Sequence, residues 1–300
     1  MNNFVLSLFW RNFAPTNRKI AFMNTKINEF EVMAPVGSRE SLAAAIQAGA
    51  DSVYFGIGKL NMRSHSANHF TIDDLREIAA TCNEHGIKTY LTVNTVIYDD
   101  DIETMKEIID AAKEAGISAV IASDVAVMSY CNEVGEEVHL STQLNISNTE
   151  ALKFYARFAD VSVLARELNM DQVKHIHEQI EKQNICGPMG KQIRIEMFCH
   201  GALCMAVSGK CYMSLANANR SANRGECAQF CRMKFNLLDS DNKEIEHQRH
   251  LLSLKDMCQI DNLEALADAG ACSFKIEGRL KDAGYVKNVV SAYSQRLDDI

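Results

Sequence analysis

The sequence has little of several features that would classify a chain at once. Only three of its 300 residues are proline, while 47% are apolar and 23% are charged. This composition excludes a collagen-like, low-complexity or disordered chain and predicts a large buried core. Basic residues are also few, because 31 lysines and arginines face 39 acidic residues, for a formal charge of −8. The whole molecule is therefore not a polycation that coats nucleic acid or an anionic membrane, and any contact with RNA must be local.

The sequence also lacks a long apolar run. The apolar stretch at residues 4–10 is far shorter than the roughly 20 residues of a spanning helix. No basic segment or small-residue cleavage site surrounds this stretch, so it does not resemble a signal peptide. We expect residues 1–30 to form a flexible N-terminal extension, and we expect a cytoplasmic protein with no membrane partner.

From residue 39 onward the sequence repeats a helix, a turn and a short apolar strand. Helical spacing is seen at Leu42, Ala45, Ile46 and Gly49, and again at Leu75, Ile78, Ala79 and Cys82. A glycine that permits the left-handed closing conformation follows several of the predicted helices, at Gly49, Gly86, Gly116 and Gly270. The pattern indicates alternating helices and strands throughout residues 31–300.

Eight strands are predicted, and most are apolar runs rather than alternating patterns: 31–34, 52–55, 88–93, 118–122, 138–142, 161–165, 192–198 and 272–276. Such runs are typical of parallel strands that are buried on both faces. Eight helix and strand units in about 250 residues favour a closed (β/α)8 TIM-like barrel in the α/β class. An open doubly wound sheet is the alternative, but no G-x-G-x-x-G sequence opens the first helix.

Polar residues follow the predicted strands. In a barrel these positions lie at the carboxyl ends, where the chemistry of this fold takes place. Single polar residues at strand ends are ordinary, but together they include amides, cations and carboxylates, which suits a site for a small polyanionic molecule. They are Asn61, Arg63, Asn94, Gln143, Asn145, Arg166, Glu196, His200, Lys275, Glu277 and Arg279.

Five of the ten cysteines lie within residues 199–231, in the spacing C-x4-C-x6-C-x15-C-x3-C: Cys199, Cys204, Cys211, Cys227 and Cys231. They belong to a long segment, residues 198–256, that we expect to be an insertion after the seventh strand. Four thiolates suit either a zinc ion or a cubane iron–sulfur cluster. Zinc sites favour pairs of cysteines that are two to four residues apart, and only Cys227 and Cys231 form such a pair. The spacing therefore favours an iron–sulfur cluster.

Four stretches of the sequence resemble the U32 peptidase family, the collagenase-like proteins. They are M-A-P-V-G at 33–37, G-A-D-S-V-Y-F-G at 49–56, E-M-F-C-H-G-A-L-C-M-A-V-S-G-K-C-Y-M-S at 196–214 and K-I-E-G-R at 275–279. The resemblance covers residues 31 to about 297. It implies oxygen-independent hydroxylation of the tRNA wobble uridine to 5-hydroxyuridine, of a ribosomal RNA cytidine or of a ubiquinone precursor. It also implies a 4Fe-4S cluster and, for the RNA branches, prephenate as the oxygen donor or co-substrate.

Residue by residue, the resemblance assigns the cluster ligands to Cys204, Cys211, Cys227 and Cys231, with the spacing of the tRNA branch. Members of that branch usually continue into a C-terminal accessory domain, which we expect to be absent or cut because the chain ends at Ile300. The expected partners are tRNA, or rRNA, together with prephenate and iron–sulfur assembly or redox proteins.

Positions at the strand ends suggest further roles. We expect four residues to be catalytic: His200, Glu196, Arg166 and Lys275. Seven residues are expected to bind substrate: Asn61, Arg63, Asn94, Gln143, Asn145, Glu277 and Arg279. Five basic residues between positions 210 and 234 form a strip that either steers phosphates or offsets the cluster charge: Lys210, Arg220, Arg224, Arg232 and Lys234.

Two other functions stay open at this point. A peptidase is one, although the sequence has no H-E-x-x-H or G-x-S-x-G motif and only the adjacent pair Cys199 and His200 as a candidate nucleophile and base. A zinc-structured RNA-binding module is the other. Sequence alone does not choose the substrate.

Overall fold

Eight parallel strands form a closed ring in the computed structural model, which describes residues 30–64 and 70–300. The first seven strands follow one another around the ring, and the last strand of the ring closes it by pairing with both the seventh and the first. This closure confirms the barrel and excludes the open sheet. The ring consists of β1 (Glu31–Pro35), β2 (Ser52–Phe55), β3 (Lys88–Val93), β4 (Ala119–Ala122), β5 (Val138–Leu140), β6 (Val161–Val163), β7 (Arg194–Gly201) and β11 (Ala271–Ile276).

Helices follow the strands and cover the outside of the ring. They are α1 (Arg39–Gln47), α2 (Asp74–Glu84), α3 (Ile102–Ala115), α4 (Val125–Val134), α5 (Thr149–Tyr155), α6 (Met170–Gln183), α8 (Leu263–Asp268) and α9 (Ala283–Asp298). The predicted N-terminal extension, residues 1–30, lies outside the described residues apart from Phe30.

Local sequence explains where these helices begin and end. The Asn169 side chain accepts a hydrogen bond from the backbone N–H of Gln172 and so begins α6, while Gly116 ends α3 with a φ of 78°. Helix α3 buries one apolar stripe against the strands, including Ile109, which is fully buried. Truncation of such a side chain to alanine costs about 2–5 kcal/mol.

The two faces of the strands differ in chemistry. Outward side chains pack under the helices in one large apolar core. Inward side chains at alternate positions fill the ring, and many of them are polar and buried: Glu31, Ser52, Tyr90, His139, Glu196, Ser273 and Lys275. Because each strand is apolar on its outer face and mixed on its inner face, the sequence shows runs rather than a clean alternation.

A long insertion separates β7 from the last unit of the barrel. It contains α7 (Met213–Ala218), the exposed antiparallel hairpin of β8 (Phe235–Leu238) and β9 (Glu244–Arg249), and β10 (Met257–Cys258). Strand β10 pairs with the end of β7 at His200 and Gly201, which ties the end of the insertion to the barrel. In the described ranges, no helix has the length and apolar character needed to cross a bilayer.

Candidate functional site

A cavity of about 390 Å³ opens at the carboxyl ends of the barrel strands, beneath the insertion. Tyr54 on β2, Thr92 on β3, Phe198 on β7 and Lys275 on β11 line its barrel side. The insertion supplies the opposite wall, so the cavity forms only when both parts of the chain are folded. A cavity of this size suits a small-molecule ligand or co-substrate.

The cavity wall is strongly cationic. Among the lining residues that the structure describes, six carry a positive charge and Glu277 is the only carboxylate. This imbalance suits the binding of an anion that bears more than one negative charge. The cationic residues are Arg63, Arg166, Arg220, Arg232, Lys275 and Arg279.

Glu277 forms an ion pair with Arg63 and is influenced by the charge of Arg279. The Arg63 Nη2 atom lies 2.8 Å from Glu277 Oε1, and the Arg279 Nη1 atom donates to Thr92 Oγ1 at 2.9 Å. Burial favours the protonated form of Glu277, but the charges of Arg63 and Arg279 outweigh it and hold the pKa of this carboxyl below its usual value. Burial lowers the pKa of the Arg279 guanidinium. The acid is therefore ionised in the site.

Several donors around the cavity have no partner within the described chain. They are Arg63 Nε, Arg220 Nε, Arg279 Nε and Thr142 Oγ1, all on lining residues. Buried polar atoms usually form hydrogen bonds, so this group of atoms fits a ligand rich in oxygen. Arg166 stacks over the Phe198 ring at 5.4 Å and also lowers the pKa of Glu277.

Lys275 reaches the cavity from inside the barrel. Its Nζ atom donates to Glu196 Oε1 at 2.7 Å, and the exposed fractions of the two side chains are 5% and 0%. Glu196 does not line the cavity and contacts it only through Lys275. The structure thus places Glu196 behind the site rather than in it.

His200 does not face the cavity. Its ring packs against Tyr293 and Tyr285 of α9, and its Nδ1 atom lies 3.3 Å from the Tyr293 hydroxyl. A bulge explains this orientation: one step on β11, from Lys275 to Ile276, spans two residues of β7, from Phe198 to His200. Burial also lowers the pKa of His200. Our expectation that His200 moves protons in the cavity is therefore not supported by its position.

The four predicted amide residues divide into two pairs. Asn94 and Gln143 line the cavity, and both are hydrogen-bonded to Ser141. Asn61 is instead turned into its own loop, where it donates to the carbonyls of Ile57 and Gly58. In that position it accepts from the Arg63 backbone N–H and so supports a lining residue indirectly.

Asn145 also has a structural contact. Its Oδ1 atom accepts a hydrogen bond from Ser208 Oγ at 2.7 Å, and its own φ is 54°. Glu167 accepts from the backbone N–H of the same serine at 2.9 Å. Together they attach the first turn of the insertion to the ends of β5 and β6, and Asn145 does not line the cavity.

All four predicted ligand cysteines line the cavity: Cys204, Cys211, Cys227 and Cys231. The Sγ atoms of Cys211 and Cys227 each accept a backbone N–H from two residues ahead, at 3.4 Å in both cases. Such bonds stabilise thiolates, and hydrogen bonds to the sulfurs help set the potential of iron–sulfur clusters. Burial raises the pKa of the Cys231 thiol, and the other three thiols add to the rise.

The cysteines are near one another without forming a compact one-ion site. Within residues 30–64 and 70–300, no three His, Cys, Asp or Glu side chains lie close enough together to hold a single metal ion. The four ligands of a cubane bind four different iron atoms, whereas the ligands of zinc converge on one centre. The donor set and its N–H bonds fit a cluster, whose presence stays a prediction.

The basic strip is largely used within the protein. Arg224 pairs with Asp101, donates to the Val96 carbonyl and stacks on Tyr98 at 4.4 Å. Arg232 donates to the carbonyls of Leu203 and Leu254. Only Lys210 and Lys234 of the five are exposed. These contacts fix the fold of the insertion, so the strip is not a continuous track for phosphates.

Sequence reasoning missed several residues of the site. Tyr54 and Thr92 line the cavity from inside β2 and β3, and Ser141 holds the two amides. Tyr54 lies two residues after the inward side chain of Ser52, and Thr92 lies two residues after that of Tyr90. A period of two within otherwise apolar strands is the signal that could have identified them.

Several known proteins are similar to this chain over most of its length. The profile of peptidase family U32 matches residues 37–300. A Porphyromonas gingivalis relative named Collagenase is 62% identical over 91% of this chain and 66% of its own length. The 23S rRNA 5-hydroxycytidine C2501 synthase of Escherichia coli is 39% identical over 93% of this chain and 41% of its own.

Another relative and one solved structure complete the comparison. The tRNA hydroxylation protein P1 of Bacillus subtilis is 33% identical over 89% of this chain and 63% of its own length. The chain thus spans two thirds or less of the length of these relatives. A solved U32 peptidase shares the fold with a TM-score of 0.51 at 11% identity, covering 85% of this chain and 95% of that one. On the match to the family profile and the identities to these relatives, the chain belongs to peptidase family U32.

Proposed function

We propose that this protein is an iron–sulfur enzyme that hydroxylates an RNA base without molecular oxygen. The wobble uridine of tRNA is the favoured substrate, and prephenate is the favoured oxygen donor or co-substrate. One observation carries the proposal: four cysteines and six cationic side chains line the same cavity at the catalytic end of the barrel. A redox centre and an anion site in one chamber suit a reaction that needs both.

The cluster would be held by Cys204, Cys211, Cys227 and Cys231. When bound, it supplies one-electron transfer at the cavity wall. The chain contributes N–H bonds to two of the sulfurs and positive charge from Arg220 and Arg232, which lowers the electrostatic cost of four thiolates. Iron–sulfur assembly or redox proteins are therefore expected partners.

The cationic wall suits a donor with two carboxylates. Arg166 faces the cavity without a carboxylate partner in the described parts of the chain, and Arg63 and Arg279 carry unpaired Nε donors. Bidentate contacts from planar guanidinium groups orient a carboxylate as well as bind it. Asn94 and Gln143 line the same cavity, and we expect them to contact the reacting base there.

RNA as the substrate class is supported by the relatives named for rRNA and tRNA hydroxylation. The structure contributes the cavity but no continuous basic track, since Arg224 and Arg232 have internal partners. Insertion of a single base into the cavity is consistent with both the cavity and the lack of a continuous basic track, whereas a long electrostatic interface is not.

Metal analysis tests the first half of the proposal. Purified without oxygen, the wild-type chain should contain about four iron and four sulfide per molecule and absorb broadly near 400 nm. The Cys204→Ala and Cys227→Ala variants should lose most of this iron, whereas Cys258→Ala, an exposed cysteine on β10, should retain it. Stoichiometric zinc in the wild-type chain, without iron, would contradict the cluster.

Nucleoside analysis tests the second half. A strain without this gene should lack a hydroxylated pyrimidine in tRNA or rRNA, and the wild-type gene should restore it where Cys204→Ala does not. Loss of 5-hydroxyuridine derivatives identifies tRNA, and loss of 5-hydroxycytidine identifies rRNA. If neither nucleoside changes, both proposed products are wrong.

The peptidase alternative rests on the relative named Collagenase at 62% identity. The predicted nucleophile does not suit this role. Cys199 is fully buried, its thiol donates to the Lys275 carbonyl, and burial raises its pKa well above the usual value. The adjacent His200 faces Tyr293 instead. Gelatin cleavage that survives in Cys204→Ala and is lost in Cys199→Ala would favour the peptidase.

A further inference from the structure

A lysine amine and a buried carboxylate meet at the inner end of the cavity. Lys275 is 5% exposed, and that small exposed part faces the cavity that it lines. Glu196 Oε1 lies 2.7 Å from Nζ, and the glutamate is completely buried. The amine therefore has a proton acceptor on its barrel side and open space on the other, which is the arrangement that an amine nucleophile needs.

Aromatic rings border the same amine. Nζ lies 4.6 Å from the centroid of the Tyr54 ring and 5.5 Å from that of Phe198. These faces limit the access of water and favour a positive charge above them. An iminium ion carries the same charge as the ammonium ion, so these contacts stabilise both states.

The other cations of the cavity define what the amine would meet. Arg63, Arg166 and Arg279 line the same space and attract a carboxylate. Arg279 lies 5.3 Å from the Tyr54 ring and Arg166 lies 5.4 Å from the Phe198 ring, the two rings that also border Nζ. A carboxylate bound by these guanidinium groups would therefore bring its neighbouring carbon close to the Lys275 amine. The chemical class that combines a carboxylate with an adjacent carbonyl carbon is the 2-oxo acids.

We propose that Lys275 captures a 2-oxo acid as an imine. The ammonium first transfers one proton to Glu196, and the amine then attacks the carbonyl carbon to form a carbinolamine. A second proton passes from the nitrogen to the carbonyl oxygen as the carbinolamine forms. Glu196 returns the first proton by way of the nitrogen, because it contacts the amine and does not line the cavity. The C–O bond then breaks, and water leaves as the C=N bond forms. The sum is one ammonium and one ketone giving one iminium and one water, with no oxidant or reductant.

This step shares the cavity with the proposed function but involves no RNA. Prephenate itself contains a 2-oxo acid side chain, so capture at Lys275 would fix the donor while the base enters. The test below uses neither RNA nor hydroxylation, and the proposed function and the imine can therefore fail separately.

Reductive trapping tests the imine directly. The full chain is incubated with pyruvate, 2-oxoglutarate or prephenate and with cyanoborohydride, then digested and analysed by mass spectrometry. The peptide with Lys275 should gain the mass of the oxo acid minus one oxygen atom, because reduction converts the iminium to a secondary amine. Lys281, an exposed lysine on the following turn, serves as the internal reference for non-specific labelling.

Three variants sharpen the result. Lys275→Arg keeps the cation beside Glu196 and should lose the label. Glu196→Gln removes the proton acceptor and should slow labelling at Lys275 by about tenfold or more. Glu31→Gln is the matched control, because Glu31 is also buried in the barrel but pairs with Lys88 and reaches Glu196 only through the Ser273 hydroxyl. It should label like the wild-type chain.

The outcomes decide the proposal. Labelling of Lys275 well above Lys281, lost in Lys275→Arg, supports it. Labelling of Lys275 no faster than that of Lys281, with all three oxo acids, overturns it and leaves Lys275 as a charge that binds carboxylates. If Glu196→Gln or Glu31→Gln fails to fold by circular dichroism, the wild-type chain and Lys275→Arg still give the answer.

Discussion

The buried pair of Lys275 and Glu196 makes a strong prediction about stability. Methionine at position 275 fills a similar volume but leaves the Glu196 carboxylate buried without its cation. At 2.7 Å and an effective dielectric constant of about 20, the lost attraction is about 6 kcal/mol. Part of this was already offset by desolvation of the lysine, so we expect the free energy of unfolding to fall by about 3–5 kcal/mol.

A double variant separates the pair from simple packing. In Lys275→Met with Glu196→Gln, neither residue of the pair carries a charge, and most of the lost stability should return. The matched control is Lys88→Met, because Lys88 also pairs with a barrel glutamate, Glu31, at 3.2 Å, but is 53% exposed. Its loss should cost no more than about 1 kcal/mol.

Urea unfolding followed by far-ultraviolet circular dichroism measures all four proteins. The reasoning fails if Lys275→Met costs less than about 1 kcal/mol, since the carboxylate would then have access to water. It also fails if the double variant is no more stable than the single one.

Three further predictions concern other parts of the chain. Burial raises the pKa of Glu136 to about 7, so the folded state loses stability as the pH rises from about 4.5 to about 7. Glu136→Gln should therefore raise the free energy of unfolding by about 1–2 kcal/mol at neutral pH, with solvent screening allowed for. Near pH 4 the variant should have no effect, and urea titrations at the two pH values measure the difference. Gly225→Ala should lower the melting temperature far more than Gly209→Ala. Both glycines have a positive φ, but only at Gly225 would a Cβ atom meet the Asn61 carbonyl oxygen, at 2.2 Å. Equal losses in melting temperature would contradict this close approach. Arg224→Ala removes the ion pair with Asp101 and the hydrogen bond to the Val96 carbonyl, which attach the insertion to the barrel. This variant should therefore contain less iron than Lys234→Ala, and equal iron in the two variants would contradict this role of Arg224.

The fold could be predicted because its outer face follows a simple rule. Strands such as 52–55 and 88–93 were predicted with their observed bounds, since apolar residues on the helix side make continuous runs. Strand β5 is shorter than predicted, ending at Leu140, because residues 142–144 turn into a short 3-10 helix. Strand β7 extends to Gly201 because β10 pairs with its end, a long-range contact that no local pattern reports.

The site was predicted less evenly. The cysteines, Arg63, Arg166 and Lys275 all reach the cavity because spacing or strand position determines where they lie. His200 was misplaced because the bulge at Cys199 changes which way the following side chain points, and a single extra residue has no sequence signature here. Asn61 and Asn145 were wrongly predicted to line the site for another reason. Short amide side chains also form hydrogen bonds that stabilise loops, and only the fold shows whether such a side chain lines a cavity or stabilises a loop.

The order of the strands has a consequence for synthesis. The ring closes where β1 meets β11, and Ser273 bonds to Glu31 across 242 residues of chain. Closure therefore waits until β11 has left the ribosome, and by then the entire cysteine segment before it has been made. The four thiols are translated before the chamber that surrounds them exists. The proposed cluster would therefore meet an open segment before the barrel closes beside it.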